Sequence, residues 1–140
     1  MNTTRALVAV FDTPVAAHLL DFATTLGFRV ALADPGLEGV VVDADTDVVV
    51  TDHDRPELGA VLRDALASPA RWIGVMGNPR HPGPHVEALR GLGVPDDEIA
   101  RVHRPIGLNI GSRTPPEIAL ATLAGLVADR NGRPGGTDFR

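Results

Sequence analysis

The chain of 140 residues is 44% hydrophobic and 22% charged, a balance that suits one folded domain with a buried core and excludes a disordered segment. It has no cysteine, which excludes disulfides, iron–sulfur clusters and thiolate metal sites. A net charge of −5 with one Trp and no Tyr argues against a nucleic-acid partner, and no apolar run approaches the ~20 residues that span a bilayer.

The charge is unevenly placed. Residues 1–70 hold 4 Arg against 11 acidic residues, whereas residues 71–140 hold 9 Arg against 7. Lys is absent, so every fixed positive charge is a guanidinium. The opening MNTTRALVAVF lacks the layout of a secretory signal, and a cytoplasmic protein is expected.

Residues 5–11 form a short apolar run consistent with a buried strand. Thr13-Pro14 supplies an N-cap and a first-position proline for a helix reaching about Leu26, closed by Gly27. Residues 28–33 read as a second strand ending in Asp34-Pro35-Gly36. The acidic stretch 37–47 leaves room for a short strand at Val40–Val42. Residues 47–51 form a buried strand, Pro56 opens a helix to about Ala67, and Trp72–Met76 is another buried strand. A helix from about Pro84 to Arg90 and a helical turn from Pro95 follow. The last helix has the clearest start: Thr114-Pro115-Pro116-Glu117 combines an N-cap, a proline and a capping-box Glu. It is expected to reach about Arg130, with residues 131–140 a flexible tail.

Continuous apolar strands alternating with helices imply a parallel sheet covered on both faces, an α/β three-layer sandwich. Ligands of such sheets bind outside the carboxyl ends of the strands. Two later strand-like pieces run into Gly-containing turns that carry Arg80 and Arg113, and the second leads into the capped helix. Guanidinium groups, backbone N–H groups and a helix N-terminus there would suit a small anion. Arg113 either grips a phosphate or carboxylate or pairs with a nearby acid. Gly107 and Gly111 permit tight turns or close ligand approach. His53, flanked by Asp52 and Asp54, is either a proton relay or ligand, or a residue that satisfies turn hydrogen bonds. His81 and His85 have a zinc-pair spacing that Pro82 and Pro84 interrupt, so no metal site is expected. No nucleophile elbow or Walker loop is present, and no catalytic residue is assigned.

A dinucleotide-binding turn needs glycines for a tight bend and for close approach to a pyrophosphate. Asp12 and Pro14 stand in those two places. Asp34, 22 residues after Asp12, has the spacing of a ribose-binding acid, and equally that of a turn former before Pro-Gly. NAD(P) binding in the usual manner is therefore not expected.

From residue 48 onward the chain resembles the Rossmann-like C-terminal domain of the XdhC/CoxI family, accessory proteins of molybdenum hydroxylases. The resemblance is carried by Thr51–Asp54, by Ala67–Gly77 (ASPARWIGVMG) and by His103–Pro115 (HRPIGLNIGSRTP). It implies a single Rossmann-like domain over residues 1–130. It also implies a non-catalytic role in maturing a hydroxylase of the xanthine or carbon monoxide dehydrogenase type, by binding or presenting its molybdenum pterin cofactor. The segments Gly77–Arg80 and Gly107–Thr114 would carry that binding, through Gly77, Asn78, Arg80, Gly107, Asn109, Gly111, Ser112, Arg113 and Thr114, with Asp34 and His53 beside them. Full-length relatives have an additional cysteine-bearing domain, so the partners implied are the hydroxylase, a separate cysteine-bearing chain of the family, or a second copy. The sequence departs from the family at Asp12 and Pro14, at Asn78-Pro79 and at Asn109. Two rival readings stay open: an NAD(P)-dependent oxidoreductase using Asp34 and Arg80, and a degenerate interaction module without a ligand.

Overall fold

The structure is a computed structural model that describes residues 4–77 and 83–139. Asn78, Pro79, Arg80, His81 and Pro82 lie outside the described residues. Four parallel strands, β1 (Ala6–Val10), β2 (Arg29–Ala33), β3 (Thr46–Val50) and β4 (Trp72–Val75), lie in the order β2-β1-β3-β4. The chain leaves β1 first to one side and then to the other, so the sheet has a switch point between β1 and β3.

Helices cover both faces because the strands are apolar on both. Val8, Val10, Val48, Val50, Ile73 and Val75 point to the face closed by α2 (Leu58–Ala67) and α3 (Pro84–Gly91). Leu7, Ala9 and Val49 point to the opposite face, under α1 (Pro14–Thr25) and α5 (Pro115–Arg130). Between α3 and α5 lies the one-turn α4 (Asp96–Ile99). His103 then adds a single bridge to the outer edge of β4, donating its N–H to Ile73 O at 2.9 Å and accepting the Val75 N–H at 3.0 Å. This is the expected three-layer, Rossmann-like α/β sandwich.

Two expectations differ locally. Val40–Val42 do not form a strand: residues 34–45 cross from β2 to β3 without a helix, and Leu37, Val40 and Val42 pack as irregular chain on the core. The helix expected from Pro56 begins at Leu58, because Pro56 and Glu57 form a separate turn closed by the Leu58 N–H to Arg55 O bond of 3.1 Å.

The amino ends of the strands are locked by buried charge. Asp47 in β3 is fully buried and accepts from Arg71 Nε at 2.7 Å and Arg130 Nε at 3.0 Å. Arg130 also donates to Asp45 O at 2.6 Å, and Arg71 to Asp129 at 2.7 Å. The end of α5 is thereby tied to β3 and to the start of β4, which fixes where the helix begins at the other end of the sheet.

Candidate functional site

At the carboxyl ends of β1, β3 and β4 the sheet opens into a cavity of about 820 Å³. Its walls come from the start of α1 (Val15), the turn after β3 (Thr51, Asp52, His53) and the end of β4 (Met76, Gly77). The loop 105–112 and the inner face of α5 (Ile118, Thr122) complete it. The lining is mixed: Val15, Met76, Ile106 and Ile118 are apolar, while Asp52, His53, Asn109, Ser112 and Thr122 carry polar groups.

The loop is placed by stacking and by close backbone contact. The Trp72 indole folds over Gly74, where a Cβ would collide with the ring, and stacks on His103 with centroids 4.9 Å apart and 7° between planes. Downstream, Gly107 has φ +89°. A Cβ there would meet the backbone of Ala121 and Thr122 at 3.2 Å, and one on Gly125 would meet Gly107 Cα at 3.4 Å. The loop therefore lies directly on the α5 backbone, held by the Leu108 N–H to Ala121 O bond of 3.0 Å. Gly77 is a second close approach, since a Cβ there would overlap the Arg104 guanidinium.

His53 Nδ1 lies 3.1 Å from Met76 O. A carbonyl only accepts, so Nδ1 carries a proton, and Nε2 lies 3.6 Å from Asp54 Oδ1. The neighbouring Asp52 closes its turn by accepting the Asp54 N–H at 2.9 Å. Across the cavity, the Thr51 hydroxyl donates to Val10 O at 2.9 Å and receives the Thr13 hydroxyl at 2.8 Å, which ties the turn after β3 to the start of α1.

The start of α5 is differently equipped from what its capping signal suggests. Pro115 and Pro116 have no N–H, and the Glu117 N–H goes to Thr114 Oγ1 at 3.4 Å. Glu117 Oε1 takes the N–H groups of Arg113 and Thr114 at 2.9 and 3.4 Å, which holds this carboxyl below its ordinary value. The capping box uses the donors that an anion would need, so only side chains there are left to meet one. Arg113 is exposed, and among the described residues its guanidinium forms no ion pair. At α1 the arrangement is more open: Pro14 has no N–H and Ala16 is capped by Thr13 Oγ1 at 3.1 Å, which leaves Val15 as the N–H on the cavity wall.

Of the residues singled out in the sequence, His53, Gly77, Gly107, Asn109 and Ser112 share this cavity. Arg113 and Thr114 stand just beyond Ser112, and Gly111 turns just before it with φ +69°. Asn78 and Arg80 lie outside the described residues. Asp34 stands apart at the end of β2, where its carboxylate accepts from both Arg55 terminal nitrogens at 2.8 and 3.2 Å and from the Asp12 N–H at 2.9 Å. Arg55 in turn covers the Phe11 ring at 4.3 Å, so the groove between the β1 turn and β2 is filled by the protein's own side chains. Val15, Ile118 and Thr122 were not singled out, and Asp52 only as a neighbour of His53. Thr122, a buried polar residue within the apolar face of α5, was the one with a readable signal.

An all-parallel sheet with its cavity at the switch point defines a Rossmann-like α/β domain. The chain belongs to the XdhC Rossmann domain family, which it matches over residues 7–126. It is 35% identical over 89 residues to the Escherichia coli K12 protein YqeB, a match covering 64% of this chain and 16% of that protein. Its fold is similar to that of a xanthine dehydrogenase from Bacillus halodurans, with TM-score 0.72 and 21% identity, covering 96% of this chain and 45% of the other. The chain thus spans about one sixth of the curated relative and under half of the solved one.

Proposed function

We propose that this domain binds the molybdenum pterin cofactor and holds it for transfer to a molybdenum hydroxylase, acting as an accessory protein without catalysis of its own. The observation that carries the reading is the cavity at the switch point, whose donor set fits such a molecule. A pterin is a flat ring with an amino-pyrimidinone edge that offers two N–H donors, and Asp52 is the carboxylate residue on the wall. The apolar faces of Val15, Ile106 and Ile118 suit the ring, and Asn109 and Ser112 suit its remaining polar edge. The phosphate would be held by side chains at the rim, with Arg113 supplying the fork that matches it. When bound, the cofactor supplies the oxygen-transfer chemistry of the acceptor enzyme; here it is cargo.

Family membership supports the reading, and so does the blocked groove beside β2. With both oxygens of Asp34 engaged by Arg55 and Asp12, that carboxylate has no free edge for a ribose, which weighs against an NAD(P) oxidoreductase.

The test is a titration of the wild type and two variants with molybdenum pterin cofactor released from a purified hydroxylase. Asp52→Asn keeps the oxygen that accepts the Asp54 N–H, so the turn survives while the charge goes. A lost charge-assisted hydrogen bond of about 1.5–3 kcal/mol corresponds to weakening of roughly tenfold or more. Arg113→Ala is expected to weaken binding by a comparable factor with thermal stability nearly unchanged. Unaltered affinity in both variants would overturn the assignment.

A further inference from the structure

We infer that β2 is a self-complementary edge through which two copies of this chain pair antiparallel, joining two four-stranded sheets into one of eight strands. β2 is the outer strand of the sheet, beside β1 alone. The Arg29 N–H donates to Arg5 O at 2.9 Å and the Phe11 N–H to Ala33 O at 2.7 Å. In a parallel pair these bonds fix the alternation: residues 29, 31 and 33 turn their backbone groups to β1, and Val30 and Leu32 turn theirs to the free edge.

A two-fold axis at Ala31 sets Val30 of one copy opposite Leu32 of the other, twice. Those are the residues with outward N–H and C=O groups, so both become hydrogen-bonded pairs, giving four backbone bonds across the edge. The side chains agree with that register. Val30 and Leu32 are 39% and 42% exposed and share the sheet face of their partners Leu7 and Ala9. Pairing would bring four aliphatic side chains together on the α1 side, continued by Leu26, itself 45% exposed at the end of α1. The charges do not oppose it. Arg29 at the start of the strand is paired with Asp43 at 3.0 Å and Asp34 after its end with Arg55 at 2.8 Å, and antiparallel pairing sets no like charges face to face. Natural edge strands commonly carry an inward charge, a proline or a bulge that prevents such pairing, and Val30-Ala31-Leu32 has none of these.

The cavity opens at the carboxyl ends of the strands, whereas this surface is the side of the sheet. The pairing is therefore independent of the cofactor assignment, and either can fail without the other.

The test uses the absence of native cysteine. On the two-fold axis, Ala31 faces its own copy at a non-hydrogen-bonded position, where Cα atoms lie ~4.5 Å apart, within disulfide range. Ala31→Cys is expected to give a covalent dimer on mild oxidation, while Val41→Cys, on the exposed crossover, stays monomeric. Light scattering over a concentration series should show twice the monomer mass for the wild type, and Leu32→Lys should weaken that association at least tenfold. A wild type that is monomeric throughout the series would overturn the inference. So would a dimer that Leu32→Lys leaves intact, or one that Ala31→Cys fails to link.

Discussion

Asp47→Asn should be among the most damaging single changes outside the cavity. Asp47 is fully buried at the amino end of β3, and its two oxygens are divided between Arg71 and Arg130 at 2.7 and 3.0 Å. Removing one partner of a buried ion pair costs ~3–5 kcal/mol, chiefly through the charge left behind. Here the lower end applies, because the Arg71 and Arg130 side chains are 24% and 12% exposed and each keeps a second acceptor, Asp129 and Asp45 O. About 3 kcal/mol is a large part of a domain's usual ~5–15 kcal/mol. With an unfolding entropy of ~2.1 cal/mol/K per residue it corresponds to a fall in Tm of roughly 10 °C. Urea unfolding and calorimetry on both proteins measure it. Ligand affinity measured well below the transition should stay unchanged, since the network lies at the opposite end of the sheet from the cavity. A loss below about 1 kcal/mol would refute the reasoning, because the guanidinium groups would then be relaxing into solvent at little cost.

Gly107→Ala and Gly111→Ala separate backbone conformation from packing. Both glycines have positive φ, +89° and +69°, but only at Gly107 would a Cβ press on the α5 backbone. Urea unfolding should show a loss of ~1 kcal/mol for Gly111→Ala and ~2–3 kcal/mol for Gly107→Ala. Acid sensitivity should also follow particular pairs. Hydrogen bonds from Arg55 and then from the Asp12 N–H hold Asp34 below its ordinary 3.8, and those from Arg113 and Thr114 N–H hold Glu117 below its ordinary 4.5. A carboxyl with a lowered folded value contributes stability above its unfolded value and loses it as pH falls through the folded one. Stability should therefore decline below about pH 4.5, and Asp34→Asn should be less stable at neutral pH with a shallower acid decline in denaturant titrations.

Most of the framework was legible because it rests on local signals. The strands are continuous apolar runs. Thr13-Pro14 and Thr114–Glu117 start α1 and α5 where their capping chemistry requires. What escaped was long-range pairing. Arg55 meets Asp34 across 21 residues, and no local pattern says that their union fills the groove beside β2. Trp72 stacks on His103 from 31 residues away, which gives Gly74 a reason that strand patterning alone does not supply. The capping box misled in an instructive way: the residues that mark a good helix start are the same ones that consume its N–H groups. At the site, the turn residues His53, Gly77, Gly107, Asn109 and Ser112 were readable as chemistry-bearing or conformationally special. The wall residues Val15 and Ile118 were not, because a cavity wall on a helix has the same apolar periodicity as the core beneath it.

The central claim is that the cavity between β1, β3, β4 and α5 receives a phosphorylated pterin. Calorimetric titration of the wild-type protein with molybdenum pterin cofactor, beside NAD and NADP at matched concentration, tests it most directly. The account predicts saturable one-to-one binding of the pterin cofactor, with ~2.7 kcal/mol of added stability at 100 times Kd, and no saturation with either dinucleotide. Saturable NAD(P) binding with no heat from the pterin cofactor would contradict it.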